Sequence, residues 1–203
     1  MIHQLASNMS IYLGKELGLE NRRVAIVAYG LEVLIGGLIK LFLFTTIPFL
    51  LGILKLFIVA FLSAALLRLP SGGVHNDEYY KCVICTLSIF LSIAFIGRAI
   101  SAYESIPLNI VVPVILLFVF VVMLKLAPVP VKEKPIKSPS RRLKLKMVSC
   151  LVVVIYGGFF FLLELDRDVV VTAALSILFH TFTLTDAGSK SFKKIDALLD
   201  VKG

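Results

Sequence analysis

An all-α, polytopic membrane protein is the class this sequence predicts: about six membrane-spanning helices behind an N-terminal amphipathic helix. Three observations carry the assignment. The 203-residue chain is 59% hydrophobic with a mean hydropathy of +0.97, more apolar sequence than a soluble core of this size needs. Apolar runs long enough for spans of about 20 residues recur along the chain. Lysine and arginine collect in alternate connections between those runs, as the positive-inside rule requires of a multi-pass protein.

The elements follow in order. Residues 1–22 lack the uninterrupted apolar stretch of a cleaved signal peptide. Ile2, Leu5, Met9, Leu13 and Leu17 instead recur at helical spacing, with Gln4, Asn8, Lys15 and Glu16 elsewhere. This pattern fits an amphipathic helix at the membrane interface and, equally, a packed first helix. From Val24 to Leu67 the chain is one long apolar run, too long for a single crossing. Pro48, preceded by Thr45 and Thr46, is the expected turn, giving spans at 24–46 and 48–67. Further spans are expected at 81–100, 107–127, 146–163 and 168–187, all within one membrane-embedded domain covering residues 1–203.

Orientation comes from the basic residues. The N-terminal arm, the 68–81 connection, the 125–146 loop and the C-terminal tail hold 17 of the 21 Lys and Arg residues. In a six-span chain these four segments share one face, while Glu164, Asp166 and Asp168 mark the other. Both termini, the 68–81 connection and the basic loop 128–145 are therefore expected on the cytoplasmic side. The net charge of +8 thus belongs to topology and to anionic lipid. Nucleic acid is excluded as a partner, since the basic loop lacks interleaved aromatics and abuts lipid. Within the spans, Glu32 invites a paired or bundle-facing role, whereas Lys40 and Lys55 are expected to snorkel to the outer interface. His180 is expected to be a hydrogen-bonded bundle residue several turns from the cytoplasmic end.

The wet stretch "GGVHNDEYYKC" at 72–82 carries the chemistry. His75 precedes Cys82 by seven residues. A thiol nucleophile needs a base to take its proton and surroundings that favour thiolate. His75 is the candidate base and Cys82 the candidate nucleophile. Lys81 and the positive end of a helix starting near Tyr79 would lower the thiol pKa. Gly72 and Gly73 could aim amide N–H groups at an oxyanion, and Asp77 or Glu78 could orient the imidazole. On one straight helix the pair would stand about 10.5 Å apart along the axis, so the chain must break between them. The expectation is a loop over 70–76, with Asn76 or Asp77 capping the next helix. Cys85 completes a C-x-x-C pair, but no second such pair exists to hold zinc. Cys85 and Cys150 are expected to be buried packing residues.

"RLPSGGVHNDEYYKC" resembles the signature of the accessory gene regulator B family of membrane cysteine endopeptidases: an Arg (Arg68), a Gly-Gly, a His, and a Cys seven later. "LAPVPVKEKPI" at 126–136 resembles that family's "YAP" stretch leading into a charged loop, with Leu126 where an aromatic is common. "YGLE" at 29–32 is a further, shorter match. The resemblance implies a peptidase that cuts the C-terminal region from a small AgrD-like precursor peptide through an acyl-enzyme thioester. The precursor then matures into a cyclic quorum-sensing peptide. It implies His75 as base, Cys82 as nucleophile, and neither metal nor organic cofactor. Membrane lipid is a further expected partner, and a homodimer is compatible with the pattern. The competing class is a small transporter or channel, for which Glu32, Lys40, Lys55, Pro48 and Pro113 would build a mid-membrane site.

Overall fold

The computed structural model describes residues 2–73, 79–130 and 138–199. The chain divides into two compact units, Met1–Leu51 and Gly52–Gly203. All regular structure among the described residues is helical, apart from one isolated β-bridge.

The first unit is a helix pair, α1 (Ile2–Glu16) and α2 (Asn21–Leu50). Ala6, Ser10 and Gly14, one residue per turn, are the buried positions of α1. A Cβ on Gly14 would fall 2.5 Å from the side chain of Val24, so α1 lies close against the start of α2. The large apolar residues Leu5, Met9 and Leu17 stay exposed. Packing thus uses the small residues and leaves a greasy face free, as a packed first helix would. Glu32 finds a partner within the unit: His3 Nδ1 lies 3.0 Å from its carboxylate. Pro48 does not turn the chain. It sits in the last turn of α2, where the missing N–H costs a single hydrogen bond. The helix closes with Leu51 N–H donating to Ile47 O at 3.1 Å, and Gly52 follows at φ 64°.

The second unit holds α3 (Leu54–Ser71), α4 (Tyr79–Ser101), α5 (Leu108–Leu126), α6 (Pro139–Leu162), α7 (Arg167–Thr183) and α8 (Asp186–Leu199). Helix α7 packs against α3, α4 and α5 and is the axis of the unit. Its inward residues are mostly small or hydroxylated (Thr172, Ala174, Ser176, Thr181), which lets neighbouring backbones approach closely. The Ser176 hydroxyl donates to Ala60 O of α3. A Cβ on Gly97 of α4 would meet Thr172 Oγ1 at 2.2 Å. Leu67, Val119, Met123, Val153, Ile177 and Leu184 form the apolar core between α3, α5, α6 and α7. Phe90 of α4 packs edge-on to Phe57 and Phe61 of α3, with centroids 6.5 and 5.6 Å away.

Outward, Leu117, Phe118, Leu151, Val154 and Phe161 are exposed. So continuous an apolar surface suits acyl chains rather than water. Among the described residues, five helices are long and apolar enough to cross a membrane, or six if the bent pair of α7 and α8 counts as one span. These helices fit a multi-pass membrane protein. The fifth expected span starts earlier than its apolar run suggests, because Pro139 at the first position nucleates α6 through the basic residues Arg141–Lys146. The sixth ends at Thr183 rather than 187. There α8 departs at 89°, begun by the Thr185 hydroxyl accepting Gly188 N–H at 3.1 Å.

One end of these helices is tied by polar contacts. Lys55 does not merely snorkel; its ammonium pairs with the carboxylate of Asp166, the residue before α7. That hydrogen bond holds the Asp166 carboxyl below its ordinary range. Arg167 donates to the carbonyls of Ser101, Tyr103 and Ile106 at 3.1, 2.7 and 2.8 Å, securing the α4–α5 connection. Glu32 and Lys55 are thus engaged in pairs, which removes two of the charges a transporter-like site would need.

Candidate functional site

The opposite end of the second unit gathers the residues that the sequence marked. Helix α3 runs past the expected span end at 67 and takes in Pro70 and Ser71, the first two residues of the expected loop, and then breaks. Gly72 adopts φ 76° and ψ −145° and Gly73 φ 126°, backbone states that L side chains rarely occupy. Glycine is required here for room as well as torsion. A Cβ on Gly72 would fall 2.3 Å from Val129 O.

That close approach joins the two signature segments. Val129, in "LAPVPVKEKPI", donates its N–H to Ser71 O at 2.9 Å and forms a parallel bridge with Gly72. Helix α5 ends at Leu126, and Ala127, Pro128 and Val129 lead into the bridge. Ala127 and Pro128 are buried, which anchors this connection over the core. The charged continuation, residues 131–137, lies outside the described residues.

Helix α4 is described from Tyr79 onward. Cys82 is half-buried near the start of the described part of α4, with Thr86 Oγ1 4.0 Å from its sulfur one turn on. Lys81 is 2% exposed, and its ammonium lies 6.0 Å from the centroid of the Tyr80 ring. Arg68 lies in the last turn of α3, one turn before the Gly-Gly break. His75, Asn76, Asp77 and Glu78 lie outside the described residues, so the His75–Cys82 distance and the cap of α4 are expectations only.

His180 is placed differently from its expected position. It does face the bundle interior, hydrogen-bonded and 2% exposed. It lies, however, one turn before the end of α7, beside the Gly-Gly turn rather than several turns away. Ser71 Oγ stands 2.7 Å from His180 Nε2. Gly73 packs against the same wall, where a Cβ would lie 3.2 Å from Thr183 Oγ1 and 3.8 Å from His180 Cε1.

Ser71, Val129 and His180 are the residues that sequence reasoning missed at this site. The one signal for His180 was a titratable side chain inside an apolar helix, which calls for a partner. Ser71 and Val129 carried no signal of their own.

Cys85 is buried, and Cys150 is partly buried against the core, so both sit as packing residues. An apolar cavity of about 340 Å³ lies elsewhere in the unit, lined by Leu62, Leu116, Tyr156, Phe160 and Val170 among others. Its lining includes no cysteine, histidine or charged group.

Comparison with known proteins returns a consistent result. The sequence profile described as Accessory gene regulator B matches residues 6–184. An AgrB-like protein of Clostridium perfringens strain SM101 is 29% identical over 209 aligned positions, covering 97% of each chain. A second, AgrB-like protein 2 of C. perfringens strain 13, is 26% identical over 213 positions, again covering 97% of each. An AgrB-like protein of Clostridium beijerinckii is 24% identical over 150 positions, covering 73% of each. No solved structure matches the chain.

Proposed function

Since the chain belongs to the accessory gene regulator B family, we propose that it is a membrane-embedded cysteine endopeptidase acting on a small precursor peptide of the same regulatory system. One observation supports this reading above the others. The two signature segments, 57 residues apart between Gly72 and Val129, meet in a backbone bridge. A polar connection with no chemistry to perform would not need glycine in two restricted backbone states.

In the proposed reaction His75 takes the Cys82 proton and the thiolate attacks the scissile carbonyl. The protonated imidazole returns that proton to the departing amide nitrogen, and the precursor's C-terminal segment leaves with a new amino terminus. What remains is a thioester on Cys82. A cysteine thiol of the precursor, deprotonated by His75, displaces Cys82 and closes a thiolactone close in energy to the thioester it replaces. Cys82 recovers its proton and the cycle is complete. The precursor is the peptide partner, and anionic lipid faces the basic loops. The test is to incubate the protein in membranes with the small peptide encoded beside its gene, and to follow the products by mass spectrometry. Release of the C-terminal fragment is expected; an intact precursor against correctly inserted protein would overturn the proposal.

The catalytic end faces the cytoplasm in this reading, because Lys125, Arg141, Arg142, Lys144 and Lys146 crowd it while Glu164, Asp166 and Asp168 lie towards the other end. Single cysteines introduced as Ser140→Cys and Glu164→Cys, with the three native cysteines replaced by alanine, check the sidedness. An impermeant maleimide on intact cells should label position 164 and spare position 140. Labelling of 140 from outside would invert the orientation and put the site on the wrong face for a cytoplasmic precursor.

A further inference from the structure

We propose that His180 is a positioning residue for this reaction, acting through Ser71 to hold the Gly72–Gly73 turn that leads to the Cys82-bearing end of α4; the proposal rests on the peptidase reading above. Both members of the pair are buried, Ser71 with no exposed surface and His180 at 2%. Substrate therefore does not reach the imidazole, and His180 is not itself catalytic. The hydrogen-bond pattern fixes which atom does the holding. The Ser71 hydroxyl has one proton and two partners, Leu67 O and His180 Nε2, each at 2.7 Å. Both contacts are satisfied together when the hydroxyl donates to Leu67 O and the imidazole carries a proton on Nε2 and donates to Ser71 Oγ.

Ser71 is also the residue whose carbonyl accepts Val129 N–H. Its side chain is thus tied to α7 and its backbone to the segment after α5. Gly72 and Gly73 follow directly, and the second packs on His180 and Thr183. Arg68 lies one turn earlier on the same helix, and α3 and α7 both pack against α4, which carries Cys82. Loss of the His180 donor leaves a buried hydroxyl with one partner and frees the end of α3 to shift. Displacements of about 1 Å at a reacting centre cost on the order of 10²-fold in rate.

The test uses the full-length protein in membranes with Cys85→Ala and Cys150→Ala, so that Cys82 is the one thiol. His180→Leu removes the donor, while His180→Gln retains an N–H at the reach of Nε2. Two readouts are taken: kcat and KM for precursor cleavage, and the rate at which N-ethylmaleimide alkylates Cys82. His180→Leu and Ser71→Ala should each lower kcat by about 10²-fold with KM little changed, and both should shift the alkylation rate in the same direction. His180→Gln should restore both readouts to near wild type, and the double variant should be no worse than either single one. If His180→Leu fails to insert, Ser71→Ala carries the test, being the smaller lesion. Wild-type kcat and alkylation in Ser71→Ala would overturn the proposal, as would a Gln variant as impaired as Leu. The alkylation arm needs no precursor. A protein that cleaves nothing, yet alkylates in the predicted pattern, would thus refute the peptidase reading and not the positioning of Cys82.

Discussion

Cys82→Ala should abolish release of the precursor's C-terminal segment while leaving membrane insertion intact. Alanine has no thiol to form the acyl-enzyme, so no partial route through the thioester survives, and the loss should reach the detection limit. His75→Ala removes the proposed base but leaves the nucleophile, so its expected loss is smaller, about 10²- to 10⁴-fold. The contrasting variants are Cys85→Ala and Cys150→Ala. Cys85 is buried on α4 and Cys150 packs beside the core on α6, and each should keep most of the wild-type rate. Quantifying fragment release by mass spectrometry, normalised to inserted protein, separates these cases. Cleavage by Cys82→Ala, or a Cys85→Ala variant equally dead, would end the single-nucleophile reading.

The largest structural effect is expected at Gly72. An alanine there must hold φ near 76° and ψ near −145°, a state that costs a non-glycine residue about 1–3 kcal/mol. Its methyl group would also lie 2.3 Å from Val129 O. That oxygen belongs to backbone tied into the bridge, so it cannot swing away as the tip of a side chain would. Overpacking of this kind adds about 1–3 kcal/mol more. The cheapest relief is to break the Gly72–Val129 bridge, which disconnects the two signature segments. Gly72→Ala should therefore lower the thermal midpoint in detergent and eliminate cleavage together. Gly73→Ala carries the torsional strain, but its close neighbour is the Thr183 hydroxyl at 3.2 Å, and its effect should be milder. Gly37→Ala, on α2 with nothing within 4 Å of its Cβ position, is the control and should be near neutral. A Gly72→Ala protein that melts like the Gly37→Ala control would refute the strain argument.

Composition and charge order made the architecture legible in advance. Spans are set by the thickness of the hydrocarbon and by the need to bond every backbone group internally. Apolar runs therefore locate helices wherever they are interrupted by charge, as at α4 and α5. Where the run is uninterrupted, hydropathy is silent about the turn. Proline at 48 was the only visible punctuation, yet the helix absorbed it and ended before Gly52. Basic residues misled in the other direction at α6, since Arg141–Lys146 favour helix as readily as loop.

At the site, sequence by itself determined which residue types meet the demands of thiol chemistry: Cys82, with His75, Lys81 and the glycines clustered within 11 residues. Whether His75 meets Cys82 turns on residues 74–78, which lie outside the described residues. Tertiary structure alone decided what lies behind that stretch. Ser71 and His180 are 109 residues apart and Gly72 and Val129 are 57 apart, and neither pairing follows from periodicity. They arise because α7 packs against both α3 and α5, bringing the ends of three helices to one level. A serine in a helix's last turn and a histidine within an apolar run each look incidental alone. Burial makes them partners, since each has a polar atom that must be satisfied away from water.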